Sequence, residues 1–155
     1  MQIPFDYSDL LRCLNKYKAR YLVIGAYAVI YYTEPRYTKD FDVWIDASSD
    51  NAKKVYAALR EFGAPLAGMR ARDFMIQGMV YQIGVAPVRV DVITGFKNLD
   101  FTKAWVGKEK TQVDDVSVYI IGMKELIGLK QAASREGDRR DLEALRKSVK
   151  KKSKK

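Results

Sequence analysis

A chain of 155 residues with a 48% hydrophobic share is long enough for one domain that buries roughly two-thirds of its unfolded surface, and too short for a second core. Its formal charge is +9, but Lys147, Lys150, Lys151, Lys152, Lys154 and Lys155 supply six of those charges, so the remainder is only mildly basic at +3. Histidine is absent, which excludes Ser-His-Asp and Cys-His nucleophile systems and imidazole-bound zinc and leaves chemistry to carboxylates, Lys, Arg, Tyr or a hard cation on oxygen ligands.

The single cysteine, Cys13, has no partner for an internal disulfide, which agrees with a reducing compartment and with packing inside a helix. No apolar run reaches the ~18 residues of a membrane span. Asp6, Ser8 and Asp9 interrupt any signal-like opening, so the expectation is a cytoplasmic protein with no membrane partner.

Ser8 reads as the N-cap of a helix to about Lys18, with Leu10, Leu11, Leu14 and Tyr17 at helical spacing. Tyr21 to Ile24 is a compact apolar strand ending at Gly25, and Ala26 to Tyr32 continues as a helix. Such a turn lets backbone approach a ligand and presents helix amides that favour phosphate; a simple tight connector would use the same glycine. Thr33 to Lys39 is a loop held by Pro35. It puts Arg36, Thr38 and Lys39 just ahead of the next strand, where they bridge an anion to a metal or stand as solvated charges.

Asp40 to Ile45 is the most informative stretch. β-Branched and aromatic residues dominate it, and alternation puts Asp40 and Asp42 on one face with Phe41, Val43 and Ile45 on the other. Two carboxylates side by side repel unless a cation or a shared proton relieves them, and Mg²⁺ prefers such oxygens. A solvated polar face is the competing reading of an isolated Asp-x-Asp.

Ser49 is expected to cap a scaffold helix that Gly63 stops after Phe62. Asp73 to Val85 reads as two short strands turning at Gly78, and Val88 to Thr94 as a clearer strand. In that strand Val88, Val90 and Val92 face one way, and Arg89, Asp91 and Ile93 the other. Asp91 is its only acid and is costly to bury alone, so it should join other polar groups or a metal. Leu99 to Trp105 is a short helix and Val116 to Ile121 a last strand. Helices follow over Lys124 to Ser134 and Asp138 to Val149, with Arg135, Asp138, Arg139, Arg140 and Asp141 at their joint as a surface salt-bridge network. This divides the chain into a domain over residues 1–147 and a basic tail over 148–155, expected to be disordered.

In this order the elements resemble the nucleotidyltransferase superfamily of the DNA polymerase β type, in its minimal branch of AbiEii-like and toxin–antitoxin enzymes. The resemblance is carried by Val-Ile-Gly-Ala-Tyr-Ala-Val at 23–29, Pro-Arg-Tyr-Thr-Lys-Asp-Phe-Asp-Val-Trp-Ile at 35–45, Asp-Asn-Ala at 50–52 and Arg-Val-Asp-Val-Ile-Thr at 89–94. Lys130, Arg135, Asp138 and Asp141 extend it as a Lys-x4-Arg-x2-Asp-x2-Asp pattern, so that nearly the whole chain is covered.

It implies an α+β fold: a mixed β-sheet flanked by helices, with a C-terminal helical pair. It further implies two Mg²⁺ ions, or Mn²⁺ in their place, on Asp40, Asp42 and Asp91, and a nucleoside triphosphate such as ATP at Gly25 and Ala26. Arg36, Thr38, Lys39, Lys130 and Arg135 join that nucleotide site. The reaction implied is transfer of a nucleoside monophosphate to a hydroxyl of an RNA end such as tRNA, a protein or a small molecule, with release of pyrophosphate. A cognate antitoxin is the implied protein partner, in a toxin–antitoxin or phage-defence system. Gly25-Ala26 departs from the family's usual Gly-Ser or Gly-Gly, leaving phosphate to the backbone amides. That departure keeps open a module that binds nucleotide, RNA or a partner with little turnover; a Mg²⁺-dependent nuclease could use the same carboxylates.

Overall fold

The computed structural model describes residues 5–84, 89–133 and 136–153. Six strands form one mixed sheet: β1 (Tyr21–Ile24), β2 (Asp40–Ile45), β3 (Val80–Ile83), β4 (Arg89–Ile93), β5 (Glu109–Val113) and β6 (Val116–Ile120). Their spatial order is β3-β4-β2-β1-β6-β5. The pairs β2 with β4 and β1 with β6 are parallel, and the other three are antiparallel. The helices are α1 (Phe5–Lys16), α2 (Gly25–Tyr32), α3 (Ser49–Phe62), α4 (Phe101–Val106), α5 (Met123–Ala133) and α6 (Glu136–Ser153). Mixed sheet, flanking helices and a C-terminal helical pair agree with the expected architecture.

The sheet holds its place through β1 and β2, whose apolar residues are almost wholly buried. Phe41 stacks on Tyr7 of α1 with ring centroids 4.7 Å apart and meets Tyr27 of α2 edge-on. On the opposite face, Trp44 packs edge-on against Phe96 and Phe101 at 5.2 and 5.3 Å. Both faces of β2 are therefore anchored by aromatic contacts worth about 0.5–1.5 kcal/mol each beyond their buried area. Helix α1 packs on α3 and β6, while α2 contacts β1, β2, α5 and α6. Cys13 is a buried core residue, and burial pushes its thiol pKa up.

Several boundaries differ from expectation. Helix α1 begins at Phe5, so Ser8 is no N-cap but a buried residue within the helix. The cap of α3 is Ser48 rather than Ser49; its hydroxyl accepts from Asn51 N at 3.3 Å, and Gly63 ends the helix at φ +91°. Of the two short strands expected over 73–85, the second is β3 and the first is no strand; Val85 lies outside the described residues. Ala71–Met75 is a 3₁₀ helix, with the Asp73 carboxylate accepting from Arg70 N at 2.6 Å. The Thr94 hydroxyl then accepts from Met79 N and donates to Ile76 O, holding the loop after that helix in place of a partner strand.

Strand β5 is a further element that no apolar period marks, and α6 runs through Ser153. It therefore enters the stretch 148–153 where disorder was expected, because lysine is a good helix former and Ser148 Oγ donates to Tyr32 O at 2.7 Å. Among the described residues no helix is long and apolar enough to cross a membrane.

Candidate active site

The parallel register of β2 and β4 sets Asp42 opposite Asp91 and Asp40 opposite Arg89. Neighbouring strands lie about 4.8 Å apart, so facing side chains on one side of a sheet are within contact reach. Two acids distant in sequence are thus brought together by strand pairing. Asp42 is partly buried, and burial pushes its pKa up to about 7, with the negative charge of Asp91 and a hydrogen bond to Asp91 adding to the rise. A hydrogen bond between two carboxyl groups requires a shared proton. Asp91 Oδ1 is buried without a hydrogen-bond partner, the one side-chain oxygen or nitrogen so left among the described residues. Leaving such an atom unmatched costs about 1–3 kcal/mol, and more if it is charged.

Gly25 closes the other side of the pair. Its φ is +67°, a left-handed conformation that L side chains resist, and a Cβ there would strike Asp42 Oδ2. Only glycine lets α2 start this close to the carboxylate. Ile24 offers no side-chain cap to α2, so the first amides of the helix are not taken by a capping group.

A cleft of about 450 Å³ opens here. Gly25, Ala26, Asp40, Asp42 and Lys130 line its polar side, and Phe96, Leu99, Leu126 and Leu129 contribute an apolar wall. Lys130 reaches it from α5 and is held from behind by α6: its Nζ lies 3.2 Å from Asp138 Oδ1 and 3.1 Å from Asp141 Oδ2. Arg36 completes this arrangement at 3.1 Å from Asp141 Oδ1. Asp138 and Asp141 are buried on Lys130, whereas Arg139 and Arg140 are exposed, so the expected surface network at this joint is replaced by a largely buried one about Lys130, closed on its open side by the half-exposed Arg36.

Among the described residues no three acidic or thiol side chains form a ready-made cage. Mg²⁺ rarely uses one; it is commonly held by one or two carboxylates while substrate phosphates and water complete its octahedron. Facing carboxylates, one with an unmatched buried oxygen, fit that requirement. The third acid, Asp40, is engaged elsewhere, with Arg89 Nη2 2.8 Å from its Oδ1.

Of the residues singled out in the sequence, Gly25, Ala26, Asp40, Asp42 and Lys130 line one cleft and Asp91 faces it from the adjacent strand. Three others do not join them. Arg36 lines a separate groove of about 640 Å³ between its loop and α6. Thr38 uses its hydroxyl to accept from Asp40 N at 3.2 Å, and Lys39 is an exposed residue whose carbonyl accepts from the Tyr7 hydroxyl. Arg135, and the first residue of the expected strand, Val88, lie outside the described residues. Sequence reasoning missed the apolar wall, Lys97 beside it, and the Arg89–Asp40 pair. The wall carried a signal in the Leu126 and Leu129 spacing; the pair carried none, because it depends on register.

No family model matches the chain, and no curated protein matches it in sequence. Solved structures do. The lincomycin-bound lincosamide antibiotic adenylyltransferase LnuA aligns at a TM-score of 0.61 and 15% identity, over 94% of this chain and 97% of that one. An antigenic nucleotidyltransferase-like protein from Paracoccidioides brasiliensis aligns at 0.55 and 14% identity, over 89% of this chain and 72% of that one. A candidate nucleotidyltransferase from Thermotoga maritima aligns at 0.54 and 16% identity, over 97% and 96%. At these identities the likeness speaks to architecture, and that architecture is a nucleotidyltransferase-like fold.

Proposed function

We propose that this chain transfers a nucleoside monophosphate from a nucleoside triphosphate to a hydroxyl acceptor, at the cleft between Gly25, Asp42 and Lys130. The observation that carries the reading is the Asp42–Asp91 pair, two partly buried carboxylates facing each other with one oxygen unmatched, at the mouth of a cleft large enough for a nucleotide. Asp42 and Asp91 would hold a divalent cation, and Asp40 would complete the set on release from Arg89. When bound, Mg²⁺ supplies neutralisation of triphosphate charge and activation of the attacking hydroxyl.

The remaining work falls to the chain. The uncapped amides at the start of α2 suit phosphate oxygens, and they do so without a hydroxyl at Ala26. Lys130, fixed by two α6 carboxylates, presents its ammonium to the phosphates from the opposite wall. Asp91 would serve the acceptor as well as the cation, one of its carboxylate oxygens taking the proton of the acceptor hydroxyl as that hydroxyl oxygen bonds to the α-phosphorus. The bond to the β-phosphate oxygen breaks, and pyrophosphate leaves with its electron pair.

The likeness to LnuA over nearly all of both chains makes a small-molecule hydroxyl the first acceptor to try, ahead of RNA ends and protein side chains. The toxin–antitoxin setting rests on the sequence motifs alone. Incubation with α-labelled triphosphates, Mg²⁺ and an acceptor panel tests the reading. Wild type transfers label and Asp42→Asn does not; equal labelling by the two proteins contradicts it.

A further inference from the structure

Arg89 and Asp40 face each other across β4 and β2 at 2.8 Å, and their backbones are held in that position. The Tyr7 hydroxyl lies 3.0 Å from Lys39 O and 3.3 Å from Arg89 O, tying α1 to both strands beside the pair. The side chains are nonetheless open to water, 37% exposed for Arg89 and 54% for Asp40. An exposed pair of this kind is weak and exchanges partners readily. Alternation places Arg89 on the same face of β4 as Asp91, and Asp40 on the same face of β2 as Asp42. Arg89 thus stands on the same sheet face as the Asp42–Asp91 pair, tied to Asp40, which with Asp42 lines the cleft.

A guanidinium and a divalent cation compete for the same carboxylate, and positive charge at Asp42 and Asp91 repels Arg89. We propose that Arg89 is a positioning residue that changes partner when the site fills: it is bound to Asp40 in the empty site and released to the polyphosphate when a cation takes Asp40. This rests on the nucleotidyl-transfer reading of the cleft. In the empty site the guanidinium offsets repulsion among the acids. In the filled site its planar fork is free to hold phosphate oxygens, a geometry suited to bidentate anion contact. The two roles have opposite signs, so removal of the guanidinium separates them.

Wild type, Arg89→Met and Arg89→Lys are compared, first for Mn²⁺ alone by electron paramagnetic resonance, then for a non-hydrolysable triphosphate at saturating Mn²⁺ by calorimetry. Methionine keeps the apolar stem of a partly exposed side chain, and matching thermal unfolding of the variants checks the fold. Arg89→Met is expected to bind Mn²⁺ roughly two- to fivefold tighter, the worth of an exposed ion pair. It should bind the triphosphate about tenfold or more weakly, the worth of a charged contact. Arg89→Lys should stay near wild type for Mn²⁺ and fall between the two for triphosphate. Unchanged or weaker Mn²⁺ binding by Arg89→Met overturns the proposal while measurable wild-type binding leaves the site reading standing. Tighter Mn²⁺ binding with unaltered triphosphate affinity also overturns it, and absence of Mn²⁺ binding by wild type overturns both.

Discussion

Asp42 has its carboxyl pushed from an ordinary 3.8 up to about 7, chiefly by burial and then by Asp91. The folded state therefore favours the protonated form more than the unfolded chain does. Its contribution to stability is complete below the ordinary carboxylate range and is lost as pH rises toward about 7. With no histidine in the chain, few other side chains ordinarily titrate in the upper part of that window. In cation-free buffer, the stability of wild type relative to Asp42→Asn should fall between pH 5 and pH 8, read from urea midpoints at constant m-value; a rising or flat difference contradicts the assignment. Gly25 shows why this environment exists at all: its left-handed backbone and missing Cβ bring the start of α2 against the Asp42 oxygen, displacing water that would otherwise solvate it.

At the scale of elements, α5 and α6 act as a bracket for Lys130. Its side chain is 14% exposed and its ammonium sits between Asp138 and Asp141, whose side chains are 5% and 11% exposed, so both partners are largely out of water. Removing one member of a buried ion pair is costly because the other charge stays buried. Lys130→Met should lose about 3 kcal/mol of stability by urea denaturation, and adding Asp138→Asn should recover part of it. A single variant as stable as wild type would contradict the bracket. The elements most readable in the sequence were β1, a continuous apolar run covered on both faces, and β2 and β4, whose apolar residues alternate with Asp40, Asp42, Arg89 and Asp91. Strand β5 was not readable: Glu109, Lys110 and Gln112 are exposed on a sheet edge, so no apolar period marks it. Its hairpin signal was the Asp114-Asp115 pair, whose φ angles of +50° and +67° suit a tight two-residue turn. The 3₁₀ helix over Ala71–Met75 was likewise misread, since its order comes from Asp73 and Thr94 bonding backbone rather than from periodicity.

Across the whole molecule, the order β3-β4-β2-β1-β6-β5 converts separate motifs into a site. The residues at 25, 40, 42, 91 and 130 could be singled out from one-dimensional spacing and family resemblance. That Asp42 and Asp91 share a site was implied by the resemblance, but their direct opposition, and the pairing of Arg89 with Asp40, could not be read, because only strand register decides which side chains oppose. Arg36, which the resemblance put in the nucleotide site, instead pairs with Asp141 of α6 and lines a separate groove. The central claim is that β2 and β4 hold one ion between them. Calorimetric titration of Mn²⁺ with a non-hydrolysable triphosphate into wild type, Asp42→Asn and Asp91→Asn tests it most directly. Both variants should lose affinity for Mn²⁺ by about tenfold or more, as expected for loss of a charged ligand contact; undiminished binding by Asp91→Asn would contradict the shared site.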